Sequence, residues 1–160
     1  MRTGFTLIET VLYTALLVSG MVVLTTILIS GLNTRSLITG EQQLVSNQQL
    51  AELTIVERLG QAGSVVAPTS ATSTQLVINS PTPSDDPVTF QVTDGILTMT
   101  LGVQAPIALT NNTVRVFAFT VTRLTATPPS VQIAITYETD TASGATPRID
   151  SVFTYTLRHE

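Results

Sequence analysis

The chain has 160 residues, with seven basic residues against eleven acidic ones, a formal charge of −4 and no cysteine. Without cysteine there is neither a disulfide framework nor a thiol nucleophile. All seven bases are arginines spread from Arg2 to Arg158, so no basic patch points to nucleic acid, and without lysine there is no Gly-x-x-x-x-Gly-Lys phosphate loop.

In chain order, the first element is an apolar run with no charged residue between Glu9 and Arg35 and no proline. As a helix rising about 1.5 Å per residue, it covers the roughly 30 Å of hydrocarbon in a bilayer. A soluble helix of that length would show a polar face, and this one has none. Glu9 stands at the rim, where an unpaired carboxylate drawn into hydrocarbon costs on the order of 2.5–3.5 kcal/mol. In the first turn of a helix it also meets the positive end of the macrodipole. Arg2 lies before the run, which favours a cytoplasmic amino terminus and an exported remainder.

The stretch Gly4-Phe5-Thr6-Leu7-Ile8-Glu9 resembles the processing motif of type IV prepilins and of the pseudopilins of type II secretion. The resemblance implies cleavage between Gly4 and Phe5 by a prepilin peptidase, with N-methylation of Phe5 by the same peptidase/methyltransferase. It also implies that Glu9 meets the terminal amine of a neighbouring pilin or pseudopilin subunit on an inner-membrane assembly platform. Unlike a secretory signal peptide, whose apolar part precedes its cleavage site, this chain would keep its apolar run. The division that follows is 1–4 leader, 5–34 transmembrane and filament-core helix, 35–63 amphipathic continuation, and 64–160 exported β domain. The expected fold is α+β and pilin-like: a long amino-terminal helix packed on an antiparallel β-sheet domain.

Beyond the anchor, helical spacing puts Leu37, Leu44, Val45, Ala51, Ile55, Val56, Leu59 and Ala62 on one broad face. Glu41, Gln48 and Glu52 fall inside that stripe, so the helix is expected to rest on the sheet only from about Ala51 onward. Gly31 and Gly40 are weak points, each lowering helix stability by roughly 1 kcal/mol against alanine. Thr26 stands where many major pilins carry a proline. Glu57-Arg58-Leu59-Gly60-Gln61-Ala62-Gly63-Ser64 is similar to the helix end of minor pilins and J-type minor pseudopilins, and Ala108–Phe119 to their central strand.

From Ser64 the pattern turns to β, with strands expected at Thr74–Asn79, Val88–Thr93, Ile96–Thr100, Pro106–Leu109, Thr113–Leu124, Val131–Glu138 and Ser151–Arg158. Asp94-Gly95 predicts a two-residue hairpin. The Thr113–Leu124 strand sets Val114, Val116, Ala118 and Thr120 against Arg115, Phe117, Phe119 and Val121. Apolar residues on both sides predict a central strand with the helix on one face.

Little points to catalysis or cofactors. His159 is the only histidine, next to the carboxy terminus, and Asp85, Asp86, Asp140 and Asp150 are the candidates for a hard cation. None has EF-hand spacing, so they read as solvated loop acids and no metal or cofactor is assigned. Phe90, Phe117, Phe119, Phe153 and Tyr155 are expected in the core rather than on a contact surface. The expected function is that of a structural subunit of a type IV pilus-like or pseudopilus filament, not an enzyme. The alternative is an unassembled, signal-anchored surface domain that binds a ligand or polymer.

Overall fold

The computed structural model describes residues 6–69, 72–125, 130–141 and 144–156. Arg2, Gly4, Phe5 and His159 lie outside the described residues. Among the described residues one helix, α1 (Leu7–Gln61), is followed by nine strands: β1 (Ser64–Ala67), β2 (Thr72–Ser73), β3 (Gln75–Asn79), β4 (Val88–Thr93), β5 (Ile96–Leu101), β6 (Ile107–Ala108), β7 (Val114–Leu124), β8 (Ser130–Thr139) and β9 (Arg148–Thr156). The strands form two antiparallel sheets, ordered β1-β3-β4-β5-β6 and β2-β7-β8-β9. The layout is therefore α+β, with two sheets where one was expected.

Helix α1 starts because Thr6 has an extended backbone and its side chain accepts the Glu9 amide, satisfying one of the orphan donors of the first turn. It stops at Ala62, whose backbone returns to extended values while its amide donates to the Leu59 carbonyl. The expected weak points, Gly31 and Gly40, do not interrupt it.

The outer half of α1 lies on the second sheet, against β8, β9 and the edge of β7. Its buried face is Gly40, Leu44, Ala51, Ile55 and Leu59, spaced to form one stripe. Contact therefore begins eleven residues before the expected Ala51. Gly40 makes this possible: a Cβ there would sit 2.9 Å from the Thr141 γ-methyl and 3.4 Å from that of Thr139. Two of the three polar residues in the stripe, Gln48 and Glu52, also find partners. Gln48 donates to the Glu52 carboxylate at 2.9 Å, and the same oxygen accepts a short hydrogen bond from the Ser151 hydroxyl. Val45 and Val56, expected on the stripe, stay exposed on its margin. The helix thus runs alongside β9, with Gly40 near Pro147, Glu52 at Ser151 and Gly60 near the Tyr155 hydroxyl.

The core joins this helical stripe to both sheets. Leu44, Ile55, Leu76, Phe90, Leu97, Val121, Val131, Ile133 and Tyr137 are fully buried. Each such side chain stabilises the fold by about 1.5–3 kcal/mol as an upper estimate. Tyr137 is an exception in one respect: its hydroxyl is buried without a hydrogen-bond partner among the described residues. Burial first, and the nearby Glu52 charge second, push that phenol well above its ordinary pKa.

The Asp94-Gly95 hairpin forms as expected, with positive φ at both residues (54° and 79°) and Thr93 paired to Ile96. Strand β7 departs from expectation. Its ladder to β8 passes from Val116↔Tyr137 to Ala118↔Thr136, leaving Phe117 as an inserted bulge residue. A bulge reverses the alternation beyond it. The buried set is Val114, Val116, Phe119 and Val121, and Phe117 is turned outward, 60 % exposed. The apparent two-faced strand is one core face read across a frame shift. Full-length pairing on both sides belongs to β8 in the direction of β7 and β9, whereas β7 has only the two residues of β2 on its other edge. Residues 64–67 and 72–73 had given no strand expectation.

Candidate membrane and assembly site

The inner half of α1 stands clear of the β domain among the described residues. Every large apolar residue from Leu7 to Leu32 is exposed, and none of its most apolar 18-residue window is buried. This part of the helix is long and apolar enough to cross a bilayer. Its hydroxyl groups are arranged for a medium without water. Thr10, Thr14, Ser19, Thr25, Thr26 and Thr34 each donate to a carbonyl three or four residues back, at 2.8–3.0 Å. A hydroxyl that closes on its own helix needs no outside partner, which is the condition for residing in hydrocarbon. Gly20 and Gly31 face open space, with nothing within 4 Å of a Cβ placed on either.

Glu9 lies in the first turn, exposed, on the third helical position after Thr6. Thr6-Leu7-Ile8-Glu9 has the spacing of a capping box, and the Thr6 half of it is formed, the Glu9 amide reaching Thr6 Oγ1 at 3.4 Å. Among the described residues the Glu9 carboxylate has no hydrogen-bond or ion-pair partner. A helix rising about 1.5 Å per residue holds it roughly 39 Å from Arg35, the next charge along the chain. What the geometry offers is one carboxylate at the end of an uncovered apolar rod, where a cation from another molecule could reach it.

The other sequence candidates do not converge. Asp86 accepts the Ser80 amide at 2.8 Å, and Asp85 accepts the Ser84 hydroxyl at 2.9 Å, both in the β3–β4 loop. Asp150 accepts the Thr136 hydroxyl at 2.6 Å and Arg148 Nε at 3.4 Å on the outer face of the second sheet. The Thr136 hydrogen bond, with the Arg148 charge behind it, holds the Asp150 carboxyl below the usual carboxylate range. Asp140 lies near the helix at the start of the β8–β9 loop. Among the described residues no group of three or more His, Cys, Asp or Glu side chains comes together. Of the aromatic residues, Phe90 and Phe119 are buried and Phe153 and Tyr155 are packed against the core. Phe117, exposed by the bulge, carries the Arg148 guanidinium 5.0 Å above its ring. No family model, curated protein or solved structure matches the chain.

Proposed function

We propose that the chain is a membrane-inserted structural subunit of a type IV pilin-like or pseudopilus filament. A prepilin peptidase would cut it between Gly4 and Phe5 and methylate Phe5, and subunits would then assemble through the amino-terminal helix on an inner-membrane platform. The supporting observation is the uncovered half of α1: charge-free from Thr10 to Thr34, with six of its hydroxyls bonded to its own carbonyls and one carboxylate at its first turn, Glu9, without a partner among the described residues. A neighbour's protonated amine would cancel that charge, so the penalty on an isolated Glu9 becomes a drive to associate. The β domain, carried on the outer half of the same helix, would then coat a bundle of such rods.

The Thr6–Glu9 spacing favours a second reading, in which Glu9 only caps its own helix and the chain is an anchored surface domain that never assembles. Glu9→Gln separates the two, because glutamine serves a capping box as well as glutamate but carries no charge to neutralise an ammonium. With co-expressed peptidase and assembly machinery, the filament reading expects amino-terminal methyl-Phe5 by mass spectrometry. It further expects Glu9→Gln to be processed normally yet lost from sheared filaments. An intact Met1, or full incorporation of the Gln variant, overturns it.

A further inference from the structure

We infer that the cleft between α1 and the start of the β8–β9 loop is a lipid headgroup site that selects a zwitterionic phospholipid with a primary amine. The inference rests on the membrane reading of the inner helix. The cleft is shallow and open to solvent, has a volume of about 340 Å³ and is lined chiefly by Leu32, Arg35, Ser36, Gly40 and Gln43 from the helix and by Asp140 from the loop. That volume lies within the usual range for small-ligand sites.

Its position is set by the helix. Arg35 is the first charge after the apolar run, about 3 Å beyond Asn33 along the axis, and Gly40 stands about 10 Å beyond Asn33. The headgroup layer on each side of the hydrocarbon is roughly 5–8 Å deep. With the outer hydrocarbon boundary placed at Asn33, where the charge-free run ends, the cleft opens at the depth of lipid phosphates, with Leu32 at its apolar edge. Gly40 supplies the geometry by letting the loop close against the helix backbone.

The charges define the ligand. Arg35 and Asp140 line one cleft, and neither takes part in an ion pair among the described residues. The side-chain hydroxyls of Ser36 and Thr39 are turned back onto helix carbonyls at 3.0 Å, which leaves Arg35 and Asp140 as the charged groups to bind, with the Gln43 amide beside them. A guanidinium matches a phosphodiester in two-point geometry, and a carboxylate matches an ammonium that carries N–H donors. One cation nearer the hydrocarbon and one anion on the loop side repeat, with signs reversed, the phosphate and amine of an ethanolamine headgroup. A choline headgroup has the same charges but no N–H to give Asp140. An anionic glycerol headgroup would offer Asp140 neutral hydroxyls but no cation to balance its charge.

The test uses the full chain. Flotation with phosphatidylcholine vesicles, with or without phosphatidylethanolamine, reports insertion. Native mass spectrometry from micelles doped equally with phosphatidylethanolamine, phosphatidylcholine and phosphatidylglycerol reports retained lipid. A partly exposed ion pair predicts a preference of about two- to fivefold for the ethanolamine lipid over the choline lipid. Asp140→Asn should remove that preference by lowering retention of the ethanolamine lipid to that of the choline lipid, and Arg35→Gln should reduce retention of both lipids. Both side chains are exposed, so the variants should keep the helical circular dichroism of the parent. Flotation with no headgroup preference, or a preference for the glycerol lipid, overturns the headgroup site and leaves the anchor intact. Failure to float overturns the anchor reading itself.

Discussion

Replacing Tyr137 by phenylalanine removes a single oxygen from the centre of the fold and should make the protein more stable. The side chain is fully buried between the helix and the second sheet, and its hydroxyl has no partner among the described residues. A buried, unsatisfied hydroxyl costs roughly 1–3 kcal/mol of lost hydration, against which the small void left by its removal weighs less. A net gain of about 1 kcal/mol is expected, or roughly 4–8 °C in Tm for a β domain of this size. The alkaline limb of stability should change as well. Because the folded pKa of Tyr137 lies above its unfolded value, the folded state holds the phenolic proton more tightly. Stability is then undiminished below about pH 10 and falls above it, by about 1.4 kcal/mol per pH unit until the folded pKa is reached. The phenylalanine variant should lose that slope. Urea titrations of the full chain in micelles, followed by the β-sheet circular dichroism signal from pH 7 to 11, measure both effects. A loss of stability of 1 kcal/mol or more at pH 7 would refute the reasoning, because it would mean that the hydroxyl is bonded.

Gly40→Val should destabilise the domain by about 1–2 kcal/mol, since overpacking against Thr141 and Thr139 exceeds any gain in helix propensity. Both threonines are held by their own hydrogen bonds, to Ala145 and Thr113, and cannot swing clear. Thermal melts would show this against Gly31→Ala, which meets nothing and should be neutral or better. Thr136→Val should raise the Asp150 pKa toward its ordinary value, seen by carboxyl NMR titration. Because the folded pKa is depressed, the contribution of Asp150 to stability is present at neutral pH and lost as pH falls through the folded value. Asn47→Ala removes the acceptor of the Asn111 amide at 2.9 Å, and with it the tie between α1 and the β6–β7 loop. A loss of about 1 kcal/mol and faster hydrogen exchange at Asn111 are expected.

The elements were largely legible in the sequence because their signals are local. The charge-free run, the Asp94-Gly95 turn and the alternation of β4, β5 and β8 each depend on neighbours in the chain. What was hidden depends on distant partners. Phe117 looks like any strand residue until β8 is paired beside it, and only then does the skipped position turn Phe119 and Val121 inward. Gly40 reads as a flaw in a helix until Thr139 and Thr141 arrive from one hundred residues away. Glu52 looks misplaced on an apolar stripe until Ser151 supplies a hydrogen. At the candidate site, Glu9 was visible as an unusual charge, but its pairing with the Thr6 cap emerges only once the helix start is fixed. Arg35 and Asp140, far apart in sequence, gave no sign of sharing a cleft.

The alignment of α1 with β9 has a mechanical consequence. Contacts at Gly40, Glu52 and Gly60 are strung along the direction in which the rod would be pulled. Tension along that axis therefore strains them together, in shear, instead of prising them apart one after another. A subunit built this way should tolerate far more force lengthwise than sideways, as an adhesive lap joint does.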